Sequence, residues 1–318
     1  MKFAFDNLLD RVLAIRPQEQ VVLVTDSGSD SQVVDQLCDG IDRRGGTPVV
    51  ARIPPPRIPG EEYPSSVAAL LMAADAAIEL TSLFIGSNRA RREATAAGVR
   101  YAAMPAVRLS TFRDDGPLTV DFDEIRPVVE KVGQAWTEAD KYRITTPAGT
   151  DLVGSITGRP GRALHGICRD RGSYMAPPDI EAGTAPVEGT THGVAVIDAD
   201  LLFMGLGPLP EPVILHFQNG ELVGIEGLEA GRLEEMLTRC DDERMTNLAE
   251  VSLGLNPRSR ICDVPMETEA TLGTAHIALG NSMAYGGVVD AVAHLDAVMA
   301  EATLELDGKE FMVRGEFV

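Results

Sequence analysis

Residues 288–308 read VVDAVAHLDAVMAEATLELDG, and the reading of His294-Leu295-Asp296 within them decides what the second half of the chain builds. In a strand, side chains alternate between faces, so His294 and Asp296 point the same way with Leu295 opposite. A helix would set them roughly 200° apart, where they cannot act together. The small and apolar flanks favour the strand. The next segment, ATLELDGKEFMVRGEF (302–317), is a hairpin signal with Asp307-Gly308 at its tip. An imidazole and a carboxylate on one face of an apolar strand are either a satisfied structural pair or two ligands of one metal.

The region around this stretch has the same texture. After about residue 140, Gly, Pro and Thr become frequent and short alternating runs dominate. VILHFQNGELVGI (213–225) predicts a second hairpin around Asn219-Gly220, and LEAGRLEEMLTRCDD (228–242) an amphipathic helix. The first ~135 residues differ: QVVLVTD, TPVVARI, AAIELTS and VRYAAMP are strand-like runs separated by helical segments. That order predicts a parallel sheet covered by helices. The fold class expected is an α/β, Rossmann-like N-terminal domain over residues 1–138, followed by a β-rich α+β metal-binding domain over 139–318. A helix over about 121–139 leads from one to the other. The turn TDSGSDS after the first strand matches neither G-x-G-x-x-G nor a P-loop and is expected to be an ordinary strand-to-helix turn.

Composition narrows the function classes. With 318 residues, 44% hydrophobic and 24% charged, the chain suits a well-packed globular protein of two domains. The net charge of −20 excludes nucleic acid as a partner, since that needs basic surface. No stretch approaches the ~18 apolar residues of a membrane span, and the N-terminus lacks a signal-peptide core, so a cytoplasmic location is expected. Cys38, Cys168, Cys240 and Cys262 form no C-x-x-C pair and read as separate thiols.

Three other segments, with AHLD and its His294 and Asp296, set ligand-type side chains in apolar or Pro-rich surroundings: PPDIEAGTAP with Glu181, NLAEVSLGLNP with Glu250 and LGTAHIALG with His276. A carboxylate so placed is unfavourable by several kcal/mol unless it is paired or holds a cation. Singly, Glu181 reads as a turn cap, Glu250 as a strand-edge residue and His276 as a core histidine; their co-occurrence raises the metal reading.

On YRITTPAGTDLVGSITGR (142–159), MAPPDIEAGTAPVEGTTHG (175–193), AEVSLGLNP (249–257), GTAHIALG (273–280) and HLD (294–296), the second half resembles the thermophilic metalloaminopeptidases of the aminopeptidase T and S group. The related 2,5-dihydroxypyridine dioxygenases share the H-x-D, GLNP and HIALG neighbourhoods. The aminopeptidase resemblance implies two divalent metals, zinc, manganese or cobalt, held by Glu181, Glu250, His276, His294 and Asp296, with Glu250 bridging. Two divalent cations, three carboxylates and one bridging hydroxide would leave the site neutral, as a low-dielectric pocket prefers. The family's catalytic tyrosine offset falls here on Met283, with Tyr285 two residues later. Its acidic pair before the histidine is shifted onto Glu267 and Glu269.

Two chemistries are implied. In a dinuclear metallohydrolase of small amides or short peptides, the metals bring a water's pKa toward about 7. Glu269 takes its proton, and Tyr285 helps stabilise the oxyanion. In a mononuclear Fe(II) ring-cleaving dioxygenase, His294 and Asp296 with His276 or Glu250 form the triad, and His192 contacts a substrate oxygen. The dioxygenases carry a histidine at the Glu250 position, which favours the hydrolase. A metal-stabilised scaffold is the third reading, disfavoured by the carboxylate-rich donor set. The resemblance also implies a homodimer.

Overall fold

Val21, Val22, Leu23 and Val24 are buried without interruption, the pattern of a strand covered on both faces. They lie in the Gln20–Thr25 strand of a five-stranded parallel sheet. A computed structural model describes residues 1–318 as two compact units. The first holds this sheet and comprises Met1–Ile125 and His165–Asp179. Its strands run in the order Thr47–Arg52, Gln20–Thr25, Ala76–Glu79, Arg100–Ala103, Tyr174–Met175. Helices Ser31–Arg43, Ser65–Met72 and Arg89–Ala97 connect the first four. The Asp30 and Asn88 side chains accept from Gln32 N and Arg91 N and cap the first and third of these helices.

In such sheets ligands favour the crevice at the carboxyl ends of the strands where the order reverses, here between Gln20–Thr25 and Ala76–Glu79. Asp26 fills it. Its carboxylate accepts from Gly28 N at 2.6 Å and from Ser82 N and Oγ, both at 2.8 Å. TDSGSDS is thus a turn stitched by its own aspartate.

The second unit comprises Arg126–Leu164 and Ile180–Val318. It contains an eight-stranded antiparallel sheet and a six-stranded one. Both expected hairpins belong to the larger sheet, with Asn219 and Gly220 at φ 52° and 75° and Asp307 and Gly308 at 52° and 77°, the left-handed pair that a two-residue hairpin turn requires. The smaller sheet has the order Asp200–Leu201, His294–Met299, Ala275–Gly280, Leu248–Gly254, Glu181–Thr184, Arg162–Leu164. Trp136, fully buried, donates its indole N–H to Ala182 O, tying the end of helix Phe122–Glu138 to this sheet.

The division differs from the boundary at residue 138 in two ways. It falls inside helix Phe122–Glu138, because Trp136 packs with the second unit. Residues 165–179 also return to the first unit, where Tyr174–Met175 adds a fifth parallel strand beside Arg100–Ala103. No helix is long and apolar enough to cross a membrane.

Candidate metal centre

The six-stranded sheet sorts its side chains by register. Directly paired residues share a face, and the pairs are Asp296 with Ala278, Ala278 with Glu250, His294 with Gly280, His276 with Ser252, and Ser252 with Gly183. Glu181 lies two residues before Gly183 on the same strand, and so on the same face. One face therefore carries His294, Asp296, His276, Glu250, Ser252 and Glu181. The other carries Leu295, Ala297, Met299, Ile277, Val251, Leu253 and Ala182, all buried. The i, i+2 reading of His294 and Asp296 is what the strand His294–Met299 delivers. A register shift between Leu248 and Glu250 precedes the glutamate, the kind of irregularity that re-aims a side chain.

All five expected ligands converge. His276 Nε2 lies 2.8 Å from Glu181 Oε2 and 3.3 Å from Glu250 Oε1. His294 Nε2 lies 3.0 Å from Glu250 Oε2 and 3.1 Å from Asp296 Oδ1. Two groups of potential ligand atoms result, each within 4.8 Å: Glu181, Glu250 and His276, and Glu250, His294 and Asp296. Glu250 belongs to both, and each group contains one histidine.

The surroundings hold these atoms in place. His294 Nδ1 is 2.8 Å from Asn281 O. Its proton therefore belongs on Nδ1, and Nε2 is turned toward the carboxylates, the orientation that a metal-bound histidine takes from its outer partner. Ser252 Oγ donates to Glu250 Oε1. Tyr285 donates its hydroxyl to Glu181 Oε1, and its ring stacks on His294 at 5.7 Å and 9°. The short turn Met283–Tyr285 does this: it leaves Met283 54% exposed and turns Tyr285 inward. Gly286 follows at φ 87°, where a Cβ would lie 2.5 Å from Pro160. Of the two residues weighed at this position, Tyr285 is the one at the cluster.

Electrostatics fit a cation centre. Burial presses the Glu250 carboxyl upward, but the charges and proximity of His276 and His294 outweigh it and hold the group at about 2. Burial presses both imidazoles downward. Glu181 and Glu250 overcome this at His276, and Asp296 and Glu250 at His294, and both end well above the usual histidine value. His276 Nδ1 is nevertheless buried without a hydrogen-bond partner. Three carboxylates and two imidazoles aimed at one another, with a polar atom unsatisfied, suit divalent ions bound between them.

Glu269 and Glu267 stand apart from both ligand groups. They are buried on the short helix Pro265–Glu269, and Glu267 lies 3.9 Å from Arg260 Nε. His192 sits on the eight-stranded sheet, exposed, and accepts from Asn219 N at 3.3 Å. Ser252 was not singled out from sequence, although its i, i+2 spacing from Glu250 carries the same signal as His294 and Asp296.

This face of the second unit thus carries two groups of side chains, each of which could hold a metal ion. The family model of 2,5-dihydroxypyridine 5,6-dioxygenase (NicX) matches residues 3–318, and the chain belongs to that family. Its fold is similar to that of 2,5-dihydroxypyridine dioxygenase from Pseudomonas putida KT2440, with a TM-score of 0.80 and 19% identity over 99% of this chain and 96% of that one. It is also similar to wild-type AmpT from Thermus thermophilus, with a TM-score of 0.72 and 19% identity over 100% and 98%. A search of curated proteins finds no match.

Proposed function

We propose that the chain is a metal-dependent hydrolase of small amide or peptide substrates, acting through a dinuclear centre. The observation that carries this reading is the sharing of Glu250 between two ligand groups, each with one histidine and two carboxylates. A single Fe(II) triad calls for two histidines and one carboxylate, and here the histidines fall in different groups. Bound there, two divalent ions would act as Lewis acids and make a water acidic enough to serve as nucleophile near neutral pH.

The chain's own residues divide the remaining work. Glu250 would be shared by both positions, with Glu181 and His276 to hold one and His294 and Asp296 to hold the other. Asn281 O and Ser252 fix the donors' orientation. The Tyr285 hydroxyl, beside Glu181, is placed to donate to a developing oxyanion.

Metal content by mass spectrometry of protein purified without added metal is the test. About two equivalents of zinc, manganese or cobalt per chain are expected, and Glu250→Gln should lose both together. A variant that keeps one full equivalent and its activity would refute the shared site.

The family match favours a second reading, a mononuclear Fe(II) dioxygenase acting on a dihydroxylated ring. One equivalent of iron, with oxygen uptake on 2,5-dihydroxypyridine, would establish it over the first.

A further inference from the structure

The turn that carries Tyr285 is held from outside by an ion pair. Arg159, in the segment after strand Asp151–Ser155, donates from Nη1 to Gly286 O at 2.7 Å. Glu188, between strands Glu181–Thr184 and His192–Ile197, accepts from Val288 N at 3.0 Å. The two side chains also bond each other, Arg159 Nη2 donating to Glu188 Oε2. Each charge thus makes one bond to its partner and one to the backbone just after Tyr285. The same two segments add further contacts. Pro160 leaves no room for a Cβ at Gly286, and Ala185 N donates to Tyr285 O at 3.1 Å. Val187 N donates to Ser155 O at 2.8 Å and ties the segments together. An exposed ion pair is worth little, but these side chains are only 12% and 28% exposed, and bonds from charged groups are the stronger kind.

We propose that Arg159 and Glu188 are positioning residues of the metal centre: they fix the turn that keeps the Tyr285 hydroxyl on Glu181 and its ring on His294. Glu181 belongs to one ligand group and His294 to the other. One tyrosine therefore braces a ligand of each, and a loosened turn disturbs both. Partners that orient ligands in this way act on metal affinity without touching the ion. The role rests on reading the five-residue cluster as a metal centre, and it holds for either chemistry there.

Fluorine NMR of the protein labelled with 3-fluorotyrosine tests it, since the chain has only five tyrosines and Tyr285→Phe assigns the signal of interest. In the wild-type protein the Tyr285 signal should be single and should shift when Co(II) is added. Arg159→Met and Glu188→Ala should each displace or broaden it before metal is added, with the Tyr142 signal in place as the mark of an intact fold. Arg159→Lys should restore part of it. In chelator competition, Tyr285→Phe should weaken Co(II) binding about tenfold or more, and Arg159→Met by a similar factor. The double variant should bind no more weakly than Tyr285→Phe alone, because both changes act through the same ring. An unmoved Tyr285 signal in both ion-pair variants would overturn the assignment. So would losses of affinity that multiply in the double variant, or wild-type Co(II) affinity in Tyr285→Phe. One equivalent of iron per chain would overturn the dinuclear reading and leave the positioning role standing, since the metal-free signal reads it directly. Two metals with an unmoved signal would overturn only the role of Arg159 and Glu188.

Discussion

Ser252 is fully buried, and its hydroxyl donates to the carboxylate oxygen of Glu250 that also faces His276. Partners of this kind set ligand orientation, and their loss typically weakens metal binding 10–100-fold. Ser252→Ala should therefore lower metal affinity by about tenfold or more in a chelator competition titration, with the sheet intact. Unchanged affinity would reduce Ser252 to a packing role. A different buried group contributes to pH behaviour in the first unit. Glu79 accepts from Ile85 N at 2.7 Å and Tyr101 Oη at 2.9 Å, yet burial outweighs these bonds and raises its carboxyl to about 7. Between about pH 4.5 and 7 the folded chain keeps a proton that the unfolded chain has released, so this group's contribution to stability falls as pH rises through that window. A shift from 4.5 to about 7 corresponds to about 3 kcal/mol. Glu79→Gln should flatten that part of the stability profile in denaturant unfolding at pH 5 and 8, and an unchanged slope would assign the pH dependence elsewhere.

At the scale of elements, the strand Glu181–Thr184 shows how closely the metal face is built. Gly183→Ala would place a methyl 1.6 Å from Ser252 Oγ and 2.5 Å from Val251 O. The strand must move, and with it Glu181. Destabilisation above about 3 kcal/mol is expected, as for other severe overpacking in a core, together with loss of the metal pair. A near-normal unfolding midpoint would mean that the strand is looser than this packing implies. The same sheet shows what a sequence can disclose. His294 and Asp296 were legible because two-residue spacing on an apolar strand is a local signal, and Asn219-Gly220 and Asp307-Gly308 were legible because their turns need left-handed residues. Arg159 and Glu188 were not, since their bonds to Gly286 O and Val288 N join the Tyr285 turn to residues 127 and 100 positions earlier. Tyr174–Met175 was not, because two residues carry no periodicity and their partner strand lies some seventy positions earlier. The boundary near residue 138 followed from treating helix Phe122–Glu138 as a connector, and only the buried Trp136 shows that its end belongs with Ala182.

For the whole molecule, the metal-ligand set is confined to one unit, and this has a thermodynamic consequence. The candidate ligands all lie in Ile180–Val318. An ion that binds the folded form and not the unfolded one stabilises it by mass action, by about 2.7 kcal/mol at a free concentration of 100 times Kd. Removing it leaves the Glu181, Glu250 and Asp296 carboxylates facing one another on a largely buried face, balanced only by His276 and His294. The strands that carry them should then open more often. Hydrogen exchange with and without a chelator is the measurement. Protection should fall in Glu181–Thr184, Leu248–Gly254, Ala275–Gly280 and His294–Met299, the strands of the metal face. It should hold in Gln20–Thr25, Ala76–Glu79 and Arg100–Ala103, whose parallel sheet contains none of the ligands. Equal loss in both sheets would mean that the chelator acts on global stability, and no loss in either would mean that the histidines alone balance the three carboxylates.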